Sequence, residues 1–183
     1  MAANSTMLAL GTKCPDFTLE NAVDGQTVSP IEYAGKSGLL VMFICNHCPY
    51  VVHVHDEFKK LEDEFAAKGL AILAINSNSE RTHPQDGPAN MKLRAKEKGW
   101  GFPFLFDRTQ SVARAFQAAC TPEFYLFDGA QKLVYRGRLD ESSPKNGKPV
   151  TGKDLREAIV NLLEKQPITS DQLPSVGCSI KWD

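Results

Sequence analysis

Two apolar runs constrain the topology of this chain more than any other feature. Leu39 to Ile44 and Leu70 to Ile75 carry no ionisable side chain. Strands that are apolar on both faces belong inside a sheet covered on both sides. Between the runs, Val54, Phe58, Leu61 and Phe65 recur at helical spacing and make one stripe of an amphipathic helix. Strand, helix and strand within one sheet imply a parallel pair with a right-handed crossover. The helix is expected to start after Asn46, a favoured N-cap, and to stop at Lys68-Gly69. Pro49 then falls in the first turn, where its missing N–H costs nothing.

The flanking sequence extends this unit. Asp16–Glu20 and Gln26–Val28 surround the turn dipeptide Asp24-Gly25 and predict an opening hairpin. A polar loop from Asn76 to Pro88 precedes a helix over Pro88–Lys98, and a further helix is expected from Gln110 to Ala119. Glu123–Phe127 and Lys132–Tyr135 meet through Asp128-Gly129 as a second hairpin, after which Arg136 and Arg138 are expected to project into solvent. Thr151 and Asp154 suggest a capping box opening a last helix that runs to Lys165. The expectation is one α/β domain, residues 1–165, with a central mixed sheet flanked by helices. Residues 166–183 read as a C-terminal tail anchored by Val176, Ile180 and Trp182.

The totals exclude several classes. A chain of 183 residues is long enough to bury a core without disulfides or metal. Its 21 Lys+Arg against 22 Asp+Glu give a net charge of −1 with no basic stripe, so no nucleic-acid partner is expected. No apolar stretch approaches the length of a membrane span, so no membrane association is expected either. The N-terminus lacks the charged and apolar regions of a signal peptide. Five cysteines, an odd number, do not suggest a secreted disulfide framework. A cytoplasmic location is expected.

Cys45-Asn46-His47-Cys48 lies directly after the first apolar run and directly before the helix. Two thiols at this spacing close a small ring with little rearrangement, and a helix N-terminus beside them favours a thiolate. The pattern reads as a dithiol–disulfide redox centre whose only cofactor is its own Cys45–Cys48 disulfide. The competing reading is half of a zinc or copper site, for metal binding or delivery, with His53, His55 or His83 as further ligands. No second C-x-x-C or H-x₃-H follows, so no metal is assigned. Taken alone, His53 and His55 suit a solvated helix face, and His83 an exposed loop. A redox-inert adaptor is the remaining class.

Four segments carry a family resemblance: Cys14-Pro15-Asp16-Phe17-Thr18-Leu19, the Cys45 to Tyr50 stretch, Cys120-Thr121-Pro122-Glu123 leading into the second hairpin, and Gly177 to Trp182. Together they resemble the thioredoxin fold, and more closely its alkyl hydroperoxide reductase/thiol-specific antioxidant and TlpA-like redoxins. The likeness is greatest to a bacterial branch of thioredoxin family proteins with a CNHC motif. The resemblance implies a thiol–disulfide oxidoreductase acting on protein or small-molecule disulfides and thiols, with an unidentified electron donor. It makes Cys45 an exposed attacking thiolate, Cys48 the buried resolving thiol and Pro122 a cis-proline, with Thr121 offering its backbone to a substrate chain. Asn46, His47 and Pro49 would tune the redox poise. Two family features are missing: a buried carboxylate on the strand before the cysteines, and a tryptophan where Ile44 stands. A peroxiredoxin-like peroxidase would need proline and Thr or Ser where this chain has Gly38 and Met42. Slow peroxide reduction by an activated Cys45 thiolate stays chemically open.

Cys14 suits a small apolar core residue. Cys120, two residues before Pro122, reads as a packed thiol or an extra redox thiol. Cys178 could pair with Cys120 or act as a third redox thiol if the tail folds back. The loop from Ser77 to Pro88 follows a central strand, where ligands of open α/β sheets gather, so it either borders the cysteines or is plain surface. His47 stands where thioredoxin has proline, and an imidazolium there stabilises the reduced form. The potential is expected to lie tens of millivolts above thioredoxin's roughly −270 mV. Replacing His47 with proline should lower the midpoint in a glutathione titration; an unchanged midpoint would count against this role.

Overall fold

The strand Gly38–Phe43 is buried along its whole length and divides the molecule into two cores. Leu40, Met42 and Ile44 face one, and Leu39, Val41 and Phe43 face the other, the period-2 alternation of a strand covered on both sides. The computed structural model describes residues 2–183, so Met1 lies outside the described residues. In chain order the elements are β1 (Ala2–Asn4), β2 (Leu19–Asn21), β3 (Thr27–Val28), β4 (Gly38–Phe43), α1 (Pro49–Phe65), β5 (Leu70–Asn76) and α2 (Pro88–Lys98). There follow β6 (Phe104–Phe106), α3 (Ser111–Ala115), β7 (Cys120–Thr121), β8 (Glu123–Asp128), β9 (Leu133–Gly137), α4 (Lys153–Leu163) and β10 (Val176–Ser179).

Seven strands form the main sheet in the order β3-β2-β6-β5-β4-β8-β9. β4, β5 and β6 run parallel, while β2, β8 and β9 join antiparallel, so the sheet is mixed as expected. The α1 stripe of Val54, Phe58, Leu61 and Phe65 fills the first core with Met91 and Ala95 of α2 and Leu155, Ala158 and Ile159 of α4. Val112 and Ala113 of α3 fill the second with Phe116, Phe17 and Leu8. Helices therefore cover both faces. Among the described residues no helix is long and apolar enough to cross a membrane.

Several local expectations are corrected. The N-cap of α1 is Cys48, not Asn46, although Pro49 does occupy the first position. The helix expected over Gln110–Ala119 contracts to α3, because Gln110 and Gln117 both adopt positive φ and turn the chain at either end. The strand β6, only three residues long, was not anticipated. The N-cap of α4 is Gly152 at φ 65° rather than Thr151. There the Asp140 carboxylate accepts the N–H groups of Thr151 and Gly152, both at 2.7 Å, and Asp154 pairs with Arg138 instead of closing a box. Arg136 does not project freely: its Nε donates to Leu8 O at 2.8 Å and its Nη1 to Gln172 Oε1 at 2.8 Å, tying β9 to both terminal segments.

Residues 166–183 fold back onto the domain. Their strand β10 lies between β1 and β7 in a second, three-stranded antiparallel sheet, placing Cys178 opposite both Ala2 and Thr121. Gly177 makes this approach feasible, since a Cβ there would sit 2.1 Å from the Thr121 carbonyl oxygen. That obstacle is backbone and cannot rotate away. Gly177→Ala is expected to destabilise the protein by about 1–3 kcal/mol, the usual cost of overpacking. Urea unfolding should show the loss as a lowered midpoint.

Candidate active site

The end of β4 delivers Cys45 to the edge of the first core, and the next three residues turn the chain into α1. Val52 N–H donates the first helical bond to Cys48 O at 2.9 Å. Both cysteines are enclosed: Cys45 is 2% exposed and Cys48 0%. Cys45 is thus not the exposed thiol that the resemblance implies. The Thr121–Pro122 bond is cis, as expected. Thr121 faces both sulfurs, with its Oγ1 3.4 Å from Cys45 Sγ and its carbonyl oxygen 3.2 Å from Cys48 Sγ. Its edge is not open to another chain here, because β10 pairs with it.

The loop after β5 supplies the residue that sequence reading missed. Asp86, 0% exposed, ends a short 3-10 turn over Pro84–Asp86 and reaches into the C-x-x-C loop. Its Oδ1 accepts the N–H groups of Asn46 at 2.8 Å and His47 at 3.2 Å. Its Oδ2 accepts His47 Nδ1 at 2.5 Å and Asn78 Nδ2 at 2.9 Å. Asn46 Nδ2 donates to Gln85 O at 3.0 Å, and His83 stacks on His47 with centroids 4.8 Å apart. The loop from Ser77 to Pro88 therefore borders the cysteines. Its position after a central strand was the signal for this, but nothing in the sequence singled out Asp86.

Cys45, His47 and Asp86 bring ligand atoms within 4.8 Å of one another, a set that could hold a metal ion. The Asp86 carboxylate, however, already accepts four hydrogen bonds, which uses its lone-pair capacity. A metal would have to break the bonds that shape the loop. His53 and His55 lie on α1 and are half-buried rather than solvated. His53 lines a cavity of about 240 Å³ with Tyr50, Pro122, Phe124, Arg138 and Val176.

The two site thiols are displaced in opposite directions. Cys48 is lowered to about 5: the Cys45 thiol donates to it, burial opposes, and the Cys178 thiol and the N–H groups of Val51 and Cys178 add further donors. Cys48 Sγ also lies within hydrogen-bond distance of the Thr121 carbonyl, which favours the protonated form. Cys45 is pushed well above the ordinary thiol range by its bond to Cys48, by burial and by the charge of Asp86. The two shifts are opposite sides of one coupling, so the pair titrates as a unit.

The buried carboxylate missing from β4 has a counterpart on the neighbouring strand. Glu123, 1% exposed, lies opposite Phe43 in β8 and accepts from Ala119 N at 2.8 Å, Cys120 N at 3.1 Å and Tyr125 OH at 2.6 Å. It anchors the turn around Pro122. Burial and then Glu123 push the Cys120 thiol far up, so Cys120 is a packed thiol. Burial likewise pushes Cys14 up to about 12.

Residues 9–155 match the family model described as Redoxin. A solved structure of an uncharacterized conserved protein from Geobacillus kaustophilus is 49% identical with a TM-score of 0.98, covering 100% of this chain and 97% of that one. A thiol:disulfide interchange protein of the thioredoxin family from Chlorobium tepidum TLS superposes with a TM-score of 0.65 at 19% identity, over 85% of this chain and 98% of that one. The fold is therefore thioredoxin-like. The thiol-disulfide oxidoreductase ResA of Halalkalibacterium halodurans is 23% identical over 132 residues, 72% of this chain and 70% of that protein.

Asp86→Asn removes a negative charge beside Cys45 and places an amide NH₂ among N–H donors. The Cys45 thiol should fall towards the ordinary range, so its alkylation by iodoacetamide at neutral pH should quicken. Stability should drop by about 1–3 kcal/mol through the mispaired donors. Peptide-resolved alkylation rates and urea melts test both.

Proposed function

As the chain belongs to the redoxin family, we propose that it is a thiol–disulfide oxidoreductase whose working pair is Cys45 and Cys48. One observation carries this reading: two cysteines lie side by side at the start of a helix, with the residue before a cis-proline against both sulfurs. The redox chemistry named for ResA, a relative over most of both chains, supports it.

In the proposed cycle Cys45 attacks one sulfur of a substrate disulfide. Its proton passes to the Cys48 thiolate as the new S–S bond forms, and the first substrate thiolate leaves. Cys48 then gives up that proton and attacks the Cys45 sulfur. The Cys45–Cys48 disulfide closes, the second substrate thiolate departs, and the proton ends on one of the two products. Two electrons have moved from protein to substrate, and the reverse order oxidises a substrate dithiol. Asn46 and His47 hold the loop through Asp86, Pro49 starts the helix, and Thr121 and Pro122 border the sulfurs where a substrate must approach. No organic cofactor or metal enters this cycle. Substrates are protein or small-molecule disulfides and thiols. A cytoplasmic setting belongs to the same reading, since an odd set of five cysteines does not suggest a secreted disulfide framework.

The test is thiol trapping across glutathione and dithiothreitol buffers, read by mass spectrometry of the cysteine peptides. A reversible two-electron transition on the peptide holding Cys45 and Cys48 is the expected result, and it should vanish in Cys48→Ser. A pair that never closes, or closes only after a chelator is added, would replace oxidoreduction with metal binding.

A further inference from the structure

Cys48 has two sulfur neighbours rather than one. Besides Cys45, it has Cys178, which packs against the same core cluster that holds both site cysteines. Cys178 is not there by chance of a loose tail. It sits in the middle strand of the small sheet, opposite Ala2 on one side and Thr121 on the other. The carbonyl of that same Thr121 lies 3.2 Å from Cys48 Sγ. Gly177 lets the strand come this close, because any Cβ would strike the Thr121 carbonyl.

Exposure separates the three sulfurs. Cys45 and Cys48 are shut away from solvent, whereas Cys178 is only partly buried. The other cysteines do not compete. Cys120 Sγ is packed against Pro122 O, Glu123 Oε2 and Ser175 O, and Cys14 belongs to the second core.

We propose that Cys178 is a third redox thiol of this centre, exchanging with the Cys45–Cys48 disulfide to form Cys48–Cys178 and so giving an external dithiol an accessible sulfur to reduce. This rests on the oxidoreductase reading of Cys45 and Cys48. The Cys178 thiolate attacks the Cys48 sulfur; the Cys48–Cys178 bond forms as the Cys45–Cys48 bond breaks. Cys45 leaves as a thiolate and takes up the proton that Cys178 shed, with no net change in oxidation state. A donor dithiol next attacks the Cys178 sulfur and expels Cys48 as a thiolate at the N-terminus of α1. The donor's second thiol then closes the donor disulfide and frees Cys178. Two electrons have entered, and all three cysteines are reduced. The disulfide thus moves from a buried position to an accessible one before the donor meets it.

The test maps disulfides after treatment with oxidised glutathione, acid quench and alkylation, in wild type, Cys45→Ser and Cys45→Ser/Cys178→Ser. In Cys45→Ser, glutathione first caps the more exposed Cys178, and Cys48 should displace it. Most Cys178 is then expected as Cys48–Cys178, at least ten-fold over its glutathione adduct, whereas the double variant cannot form this bond. A lasting adduct in the single variant, or a Cys48–Cys120 pair, would overturn the proposal. Cys45→Ala mapped in the same way guards against misfolding of the serine variant. Wild type keeps the two readings apart. If its Cys45–Cys48 pair does not close, the oxidoreductase reading falls; if it closes while neither single variant yields Cys48–Cys178, only the third thiol falls.

Discussion

A carboxylate without access to water, holding four N–H donors, is the constraint on which the redox centre depends. Burying a charged group is costly unless its hydrogen-bonding capacity is filled, and Asp86 is filled by donors from Asn46, His47 and Asn78. Three of these four bonds come from the C-x-x-C loop itself. The loop is therefore clamped to the far end of β5 and cannot choose its own geometry. After the bond to Cys48 and burial, the same charge adds to the raising of Cys45. One side chain both shapes the loop and acts on its first thiol.

What the sequence revealed divides along the range of the interactions involved. β4 and β5 were legible because burial on both faces leaves an uninterrupted apolar run. α1 was legible because its stripe is long, and Gly69 and Gly99 close the α1 and α2 segments in left-handed geometry. The cysteine pair announced itself by spacing alone. β1, β6, β7 and β10 were missed because each is four residues or shorter and owes its state to pairing with distant chain, not to periodicity. Asp86 and Glu123 look like ordinary polar residues until the fold brings Asn46, forty positions from Asp86, into contact. The two caps that failed, Asn46 and Thr151, had suitable side chains whose surroundings went to other carboxylates.

The sulfur cluster unites two levels of the structure. The main sheet supplies Cys45 and Cys48 through the end of one central strand and the start of one helix. The small sheet supplies Cys178 through residues from both ends of the described chain. Thr121 belongs to the second sheet by pairing and to the site by its hydroxyl and carbonyl. It is the joint between them.

That joint gives the centre a stability of its own. β10 buries little apolar surface, since Val176 is exposed and Cys178 and Ser179 are only partly covered. It is held mainly by a few ladder bonds, whereas the main sheet is held by two cores. Segments secured in this way open with a free energy well below that of global unfolding. Access to the buried sulfurs is therefore set by a local equilibrium, on which changes in the last strand act more directly than changes in the two cores.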